Sequence, residues 1–129
     1  MHKKEFMEKV REDANLRSLT RAEDLTKVVF YLLSARLTVN EGHDLRAQFP
    51  QDLKDVWDEV KEKEAALIKF KKPEFLRRVM LDGKLRSVGK AEKVVKIVFR
   101  LLKSQVSSGE SKDVAAQLPK GLKEMWIEA

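Results

Sequence analysis

Slid along itself by 69 positions, this chain of 129 residues matches itself. Residues 5–60 fall on 74–129 without a gap, and 23 of the 56 aligned pairs are identical. Self-similarity of that extent marks a duplicated structural unit. It constrains the fold more than any single motif, because whatever one copy builds the other must build as well. The shared residues include Phe6/Phe75, Ser18/Ser87, Phe30/Phe99, Glu41/Glu110, Asp44/Asp113, Gln48/Gln117, Pro50/Pro119 and Trp57/Trp126.

Each unit reads as four helices, so the fold class is all-α. The first helix, over 4–14 and 73–83, puts Phe6, Met7, Val10 and Ala14 on one stripe at helical spacing. The second, over 21–37 and 90–106, is predicted to open on a capping box in which Thr20 caps and Glu23 reaches back, with Gly89 in the capping place of the second copy. Its apolar face is Ala22, Leu25, Val28, Val29, Leu32 and Leu33. The third, over 39–48 and 108–117, starts on an S/T-x-x-E signal in both copies, Thr38 to Glu41 and Ser107 to Glu110. It stops before a proline, which excludes its predecessor from the helical region. Pro50 and Pro119 then fall in the first turn of a fourth helix, over 50–64 and 119–128. There Leu53, Val56, Trp57 and Val60, and in the second copy Leu122, Met125 and Trp126, line one face.

Trp57 and Trp126 are the expected core plugs of the two units. Gln48 and Gln117 are expected to bond loop carbonyls beside the proline corner. Between the units, 1–60 and 74–129, runs the connector 61–73, with no Gly or Ser to make it a flexible linker. The fourth helix is predicted to continue into it, with Ala65, Leu67, Ile68 and Phe70 covering the seam. An apolar connector implies two units packed into one compact body.

The run "EF" opening the first helix, a long Leu/Val-rich second helix, an S/T-x-x-E start, an aspartate and "AQLP" followed by a Leu and an aromatic together resemble the prokaryotic family called domain of unknown function 2267. Both 5–60 and 74–129 carry the pattern, most closely in "AAQLPKGLKEMW"; "RAQFPQDLKDVW" departs from it at Phe49. The resemblance implies a compact helical fold and brings no activity and no catalytic residues with it.

The inventory for chemistry is thin. With no cysteine, thiolate metal sites, disulfides and Cys nucleophiles are excluded. No apolar run reaches membrane-spanning length, and "MHKKEFMEKV" is unlike a secretory signal, so a cytoplasmic protein is expected. Of the two histidines, His2 lies at the terminus and His43 has Lys112 as its counterpart. The duplicated design therefore needs no imidazole. No glycine loop of the phosphate-cradling kind is present. Glu41 with Asp44, and Glu110 with Asp113, stand three apart on one face, a spacing that suits hard-cation ligands or an acid–base pair. A first-turn glutamate that closes a capping box and answers the helix dipole accounts for them more simply, so no metal and no cofactor are expected. Arg17–Ser18 and Arg86–Ser87 suit a structural ion pair with Asp44 or Asp113 better than an anion site.

Charge is unevenly shared. The chain carries a net +6, of which residues 1–60 hold −2, the connector +3 and residues 74–129 +5. Lys93, Lys96, Arg100 and Lys103 recur at intervals of three and four and form one stripe, which Arg86 and Lys90 extend. The matching residues of the first unit are Asp24, Lys27, Tyr31 and Ser34, of which Lys27 alone is basic. Such a stripe can bind nucleic acid or another polyanion through phosphate contacts, although no aromatic residues interleave with it for base stacking. The expected role is a non-catalytic interaction or scaffold module with a protein partner or a second copy of itself. The alternative is sequence-independent polyanion binding, and an enzyme ranks behind both. No small-molecule ligand is expected.

Overall fold

Leu, Val and Phe at helical spacing, punctuated by serine and threonine caps, build eight α-helices among the described residues: α1 (Lys3–Asp13), α2 (Leu19–Arg36), α3 (Val39–Ala47), α4 (Gln51–Val60), α5 (Lys72–Asp82), α6 (Val88–Lys103), α7 (Ser108–Gln117) and α8 (Lys120–Glu128). The computed structural model describes residues 1–60 and 69–129, and among these residues there is no strand. The predicted run of the fourth helix through 61–64, and the seam-covering roles of Ala65, Leu67 and Ile68, lie outside the described residues. Phe70 is described. It is buried, with its ring edge-on to Phe75 at 6.4 Å.

The start of the second helix corrects the sequence expectation. Ser18, not Thr20, is the cap, and its Oγ accepts from the Arg21 N–H at 3.1 Å. Ser87 does the same for Lys90, so the second copy does not depend on Gly89. Glu23 turns away from the cap to pair with Lys3 and Lys27, at 2.7 and 3.2 Å. The reason is the tightness of the preceding turn. Asn15 and Lys84 take left-handed φ values of 54° and 53°. The N–H groups of Leu16 and Leu85 then reach back to the carbonyls of Arg11 and Met80, at 2.8 and 2.9 Å. This is a Schellman-type stop, and it leaves one residue before the next cap.

The prolines are displaced by one place as well. Pro119 is the cap of α8 (φ −67°, ψ 160°), and the Pro50 carbonyl receives the N–H groups of Leu53 and Lys54. A capping residue has no intrahelical N–H bond to lose, so the ring is tolerated there too. α6 ends at Lys103, short of the expected 106, because Gln105 and Val106 bond three residues back, to Leu102 and Lys103, and tighten the chain.

In the first half the rings of Phe6, Phe30 and Trp57 pack in series, edge-on and tilted, at 5.9 and 5.5 Å. In the second, Phe75, Phe99 and Trp126 do so at 6.2 and 5.1 Å. Within the halves α1 packs on α2 and α5 on α6; between them α1 meets α6, α5 meets α2, α2 meets α6 and α3 meets α7. Each of these contacts has its reciprocal or is its own, as in a twofold-related pair. The buried apolar side chains of both halves form one contiguous cluster, so neither half closes its core alone. Arg21 ties the halves further by donating to the Gly83 carbonyl at 2.6 Å. Among the described residues no helix is long and apolar enough to cross a membrane.

Candidate functional site

The contact between α3 and α7 brings the shared polar residues of both copies together. Half of the predicted capping box forms: Thr38 Oγ1 accepts from the Glu41 N–H at 3.3 Å, and Ser107 Oγ from the Glu110 N–H at 3.1 Å. The other half, glutamate to the cap N–H, does not. That N–H is taken by the opposite copy. The Thr38 N–H donates to Gln117 Oε1 at 2.9 Å, and the Ser107 N–H to Gln48 Oε1 at 2.7 Å. Each amide also donates to the hydroxyl of the same residue, Gln117 to Thr38 at 3.1 Å and Gln48 to Ser107 at 3.4 Å. The expectation that these glutamines bond carbonyls at their own proline corner is thereby corrected.

Relieved of capping, Glu41 and Glu110 turn inward and meet. Both are 6% exposed, and Glu41 Oε2 and Glu110 Oε2 are sealed from solvent with no donor from any other described residue. Carboxylate oxygens of Glu41, Glu110 and Asp113 lie within 4.8 Å of one another, and Asp44 stands on the same helix face as Glu41. Among the described residues no Lys or Arg pairs with any of the four. Burial, the hydrogen bond with Glu41 and the charges of Glu41, Asp113 and Asp44 together push Glu110 up to about 8. Glu110 thus carries a proton across the neutral range and donates it to Glu41, which relieves the like-charge repulsion. His43 is exposed and is not a member of this cluster.

The basic stripe divides in the folded chain. Lys103 Nζ donates to the carbonyls of Trp126 and Ile127, at 2.8 and 3.1 Å, closing the end of α8. Arg100 pairs with Asp13 of the first half, and Lys96 lies 3.6 Å from Glu92. Arg86, Lys90 and Lys93 are exposed, and among the described residues no acid pairs with them. Lys93, Lys96 and Arg100 border an open groove of about 600 Å³ with Asp13, Gly89 and Glu92. The expected partnership of Arg17 or Arg86 with Asp44 or Asp113 does not form among the described residues; Ser18 and Ser87 are retained as caps. Trp126 is buried with its Nε1–H donated to the Ser111 carbonyl and hydroxyl, at 3.0 and 3.1 Å, and Trp57 is buried at the equivalent place.

Sequence reasoning placed the Glu/Asp pairs on one face of each short helix and missed that the two faces meet. The signal was present in the retention of S/T-x-x-E and of Gln at an offset of 69. What was missing was which copy the glutamine serves.

These features define an all-α protein with a carboxylate cluster where its two similar halves meet. The chain belongs to the family described as uncharacterized conserved protein DUF2267, whose sequence model matches residues 3–125 in one span. A single match therefore takes in residues 5–60 and the second unit as far as Met125. No curated protein matches the sequence.

Proposed function

We propose that this protein is a non-catalytic helical interaction module that works in the cytoplasm, its function lying in binding. The observation that carries the reading is the use made of the polar residues common to both repeats. Ser18 and Ser87 cap helices, and Gln48 and Gln117 clamp the halves together. Shared polar chemistry is thus spent on assembly, and the copies differ in their surfaces, where partners are recognised. A general hydrolase and transferase screen on the purified chain tests it; turnover that disappears on E110Q or E41Q substitution sinks it.

A second reading is polyanion binding, favoured by Arg86, Lys90 and Lys93 around the start of α6, which are exposed and have no acidic partner among the described residues. Arg100 and Lys103 have protein partners and contribute less. Binding to duplex DNA and to RNA across a salt series decides it. Affinity should fall steeply with salt and be lost in a K90E/K93E variant. Equal affinity of variant and parent counts against it.

A further inference from the structure

Two glutamates meet with their Oε2 atoms out of reach of water, and among the described residues no cationic side chain pairs with them. We infer that Glu41, Glu110 and Asp113, with Asp44 beside them, bind a hard divalent cation (Mg²⁺, Mn²⁺ or Ca²⁺) at the junction of α3 and α7.

Three observations carry this. The first is spacing. Oxygen ligands about 2.0–2.6 Å from an ion stand roughly 3–5 Å from one another. The oxygens of Glu41, Glu110 and Asp113 fall within 4.8 Å. The second is that Glu41 Oε2 and Glu110 Oε2 are buried, on side chains 6% exposed, and among the described residues no donor outside the pair reaches them. Leaving such groups unmatched is costly, and an ion at the junction would match both at once. The third is the donor set. It is carboxylate alone, which selects oxygen-preferring cations over zinc or copper. Asp113 and Asp44 are exposed, so one side of the site faces water, which can complete the coordination. Because the ligands come from both repeats, a bound ion would brace α3 against α7 beside the glutamine clamps.

The test uses the full chain at about pH 8, where protons compete least for carboxylates. Mn²⁺ is titrated in while the electron paramagnetic resonance signal of the free ion is read, and Tm is followed with Mg²⁺ and Ca²⁺. The inference expects one ion bound per chain, a higher Tm with at least one of the three ions, and about tenfold or greater weakening in D113N and in E110Q. D113N changes an exposed residue, so it keeps the test meaningful should E110Q perturb the fold. Three results overturn the inference. One is free Mn²⁺ throughout at roughly millimolar concentration, with Tm indifferent to all three ions. Another is binding unchanged in D113N and E110Q, which assigns the ion to other surface acids. The third is an E110Q chain stabler than the parent when neither takes up an ion, which leaves a shared proton as the whole content of the site.

Discussion

Gln117 holds Thr38 from two sides, accepting its backbone N–H at 2.9 Å and donating to its hydroxyl at 3.1 Å. Gln48 holds Ser107 in the same way from the other half. Each short helix is therefore capped partly by its own hydroxyl and partly by the opposite repeat.

Replacing either glutamine with alanine removes two exposed hydrogen bonds and one helix-cap partner. Each of Q48A and Q117A should lose about 1–2 kcal/mol. Urea unfolding checks this: the midpoint should drop while the m-value stays that of the parent.

Glu110 gives the fold a pH dependence whose sign is set by its raised value. The folded chain keeps a proton that the unfolded chain releases, so this contribution is fully present below the ordinary glutamate value of 4.5 and is lost as pH climbs to about 8. In the absence of divalent ions, stability should fall by a few kcal/mol over that window, at about 1.4 kcal/mol per unit of separation. An E110Q chain should show a flatter profile there. Glu23 and Glu92 are lowered, chiefly by hydrogen bonds from Lys3 and Lys72, so their contribution is lost on the acid side instead. Urea midpoints from acid to mildly alkaline pH in the presence of a chelator separate the two arms. A slope unchanged in E110Q would assign the neutral arm to another group.

Trp57 and Trp126 occupy equivalent places in the aromatic series with unequal polar support. Truncation of either to alanine should cost about 3–5 kcal/mol. Phenylalanine should separate them. W126F loses bonds to the carbonyl and hydroxyl of Ser111, whereas Gly42, at the matching position, has no hydroxyl to offer Trp57. W126F should be the more damaging by about 1 kcal/mol in denaturant unfolding.

Lys84 sits at φ 53°, where a side chain is strained, while its counterpart Asn15 is a residue that tolerates φ 54°. K84G should raise stability by about 0.5–1 kcal/mol, because glycine meets no Cβ penalty there. The main-chain carbonyl that faces Arg21 is retained. A thermal melt showing a lower Tm for K84G would contradict this account of the turn.

How far the helices were legible follows from how local their causes are. The stripes of Phe6, Val10 and Phe30, and the S/T-x-x-E starts of α3 and α7, act within a few residues and gave those elements directly. The start of α2 was misplaced by two residues because "SLTRAE" offers two capping hydroxyls. The left-handed turn at Asn15 selects the earlier one. Similarly, the spacing of three and four along α6 is a local feature of the sequence. The neutralisation of its cations by Asp13 and by the carbonyl end of α8 depends on chain segments 87 and 23 residues away.

By itself, the sequence determined eight helices in two matching sets, the apolar faces they bury and the uneven charge of the copies, because periodicity, capping and composition act along the chain. Only the tertiary structure decided that each glutamine would serve the other copy and that two glutamates would be driven together out of water. Both outcomes turn on how two amphipathic halves dock. Burying a shared apolar surface fixes that docking, and the polar groups caught at its edge must then find partners across it or remain unmatched.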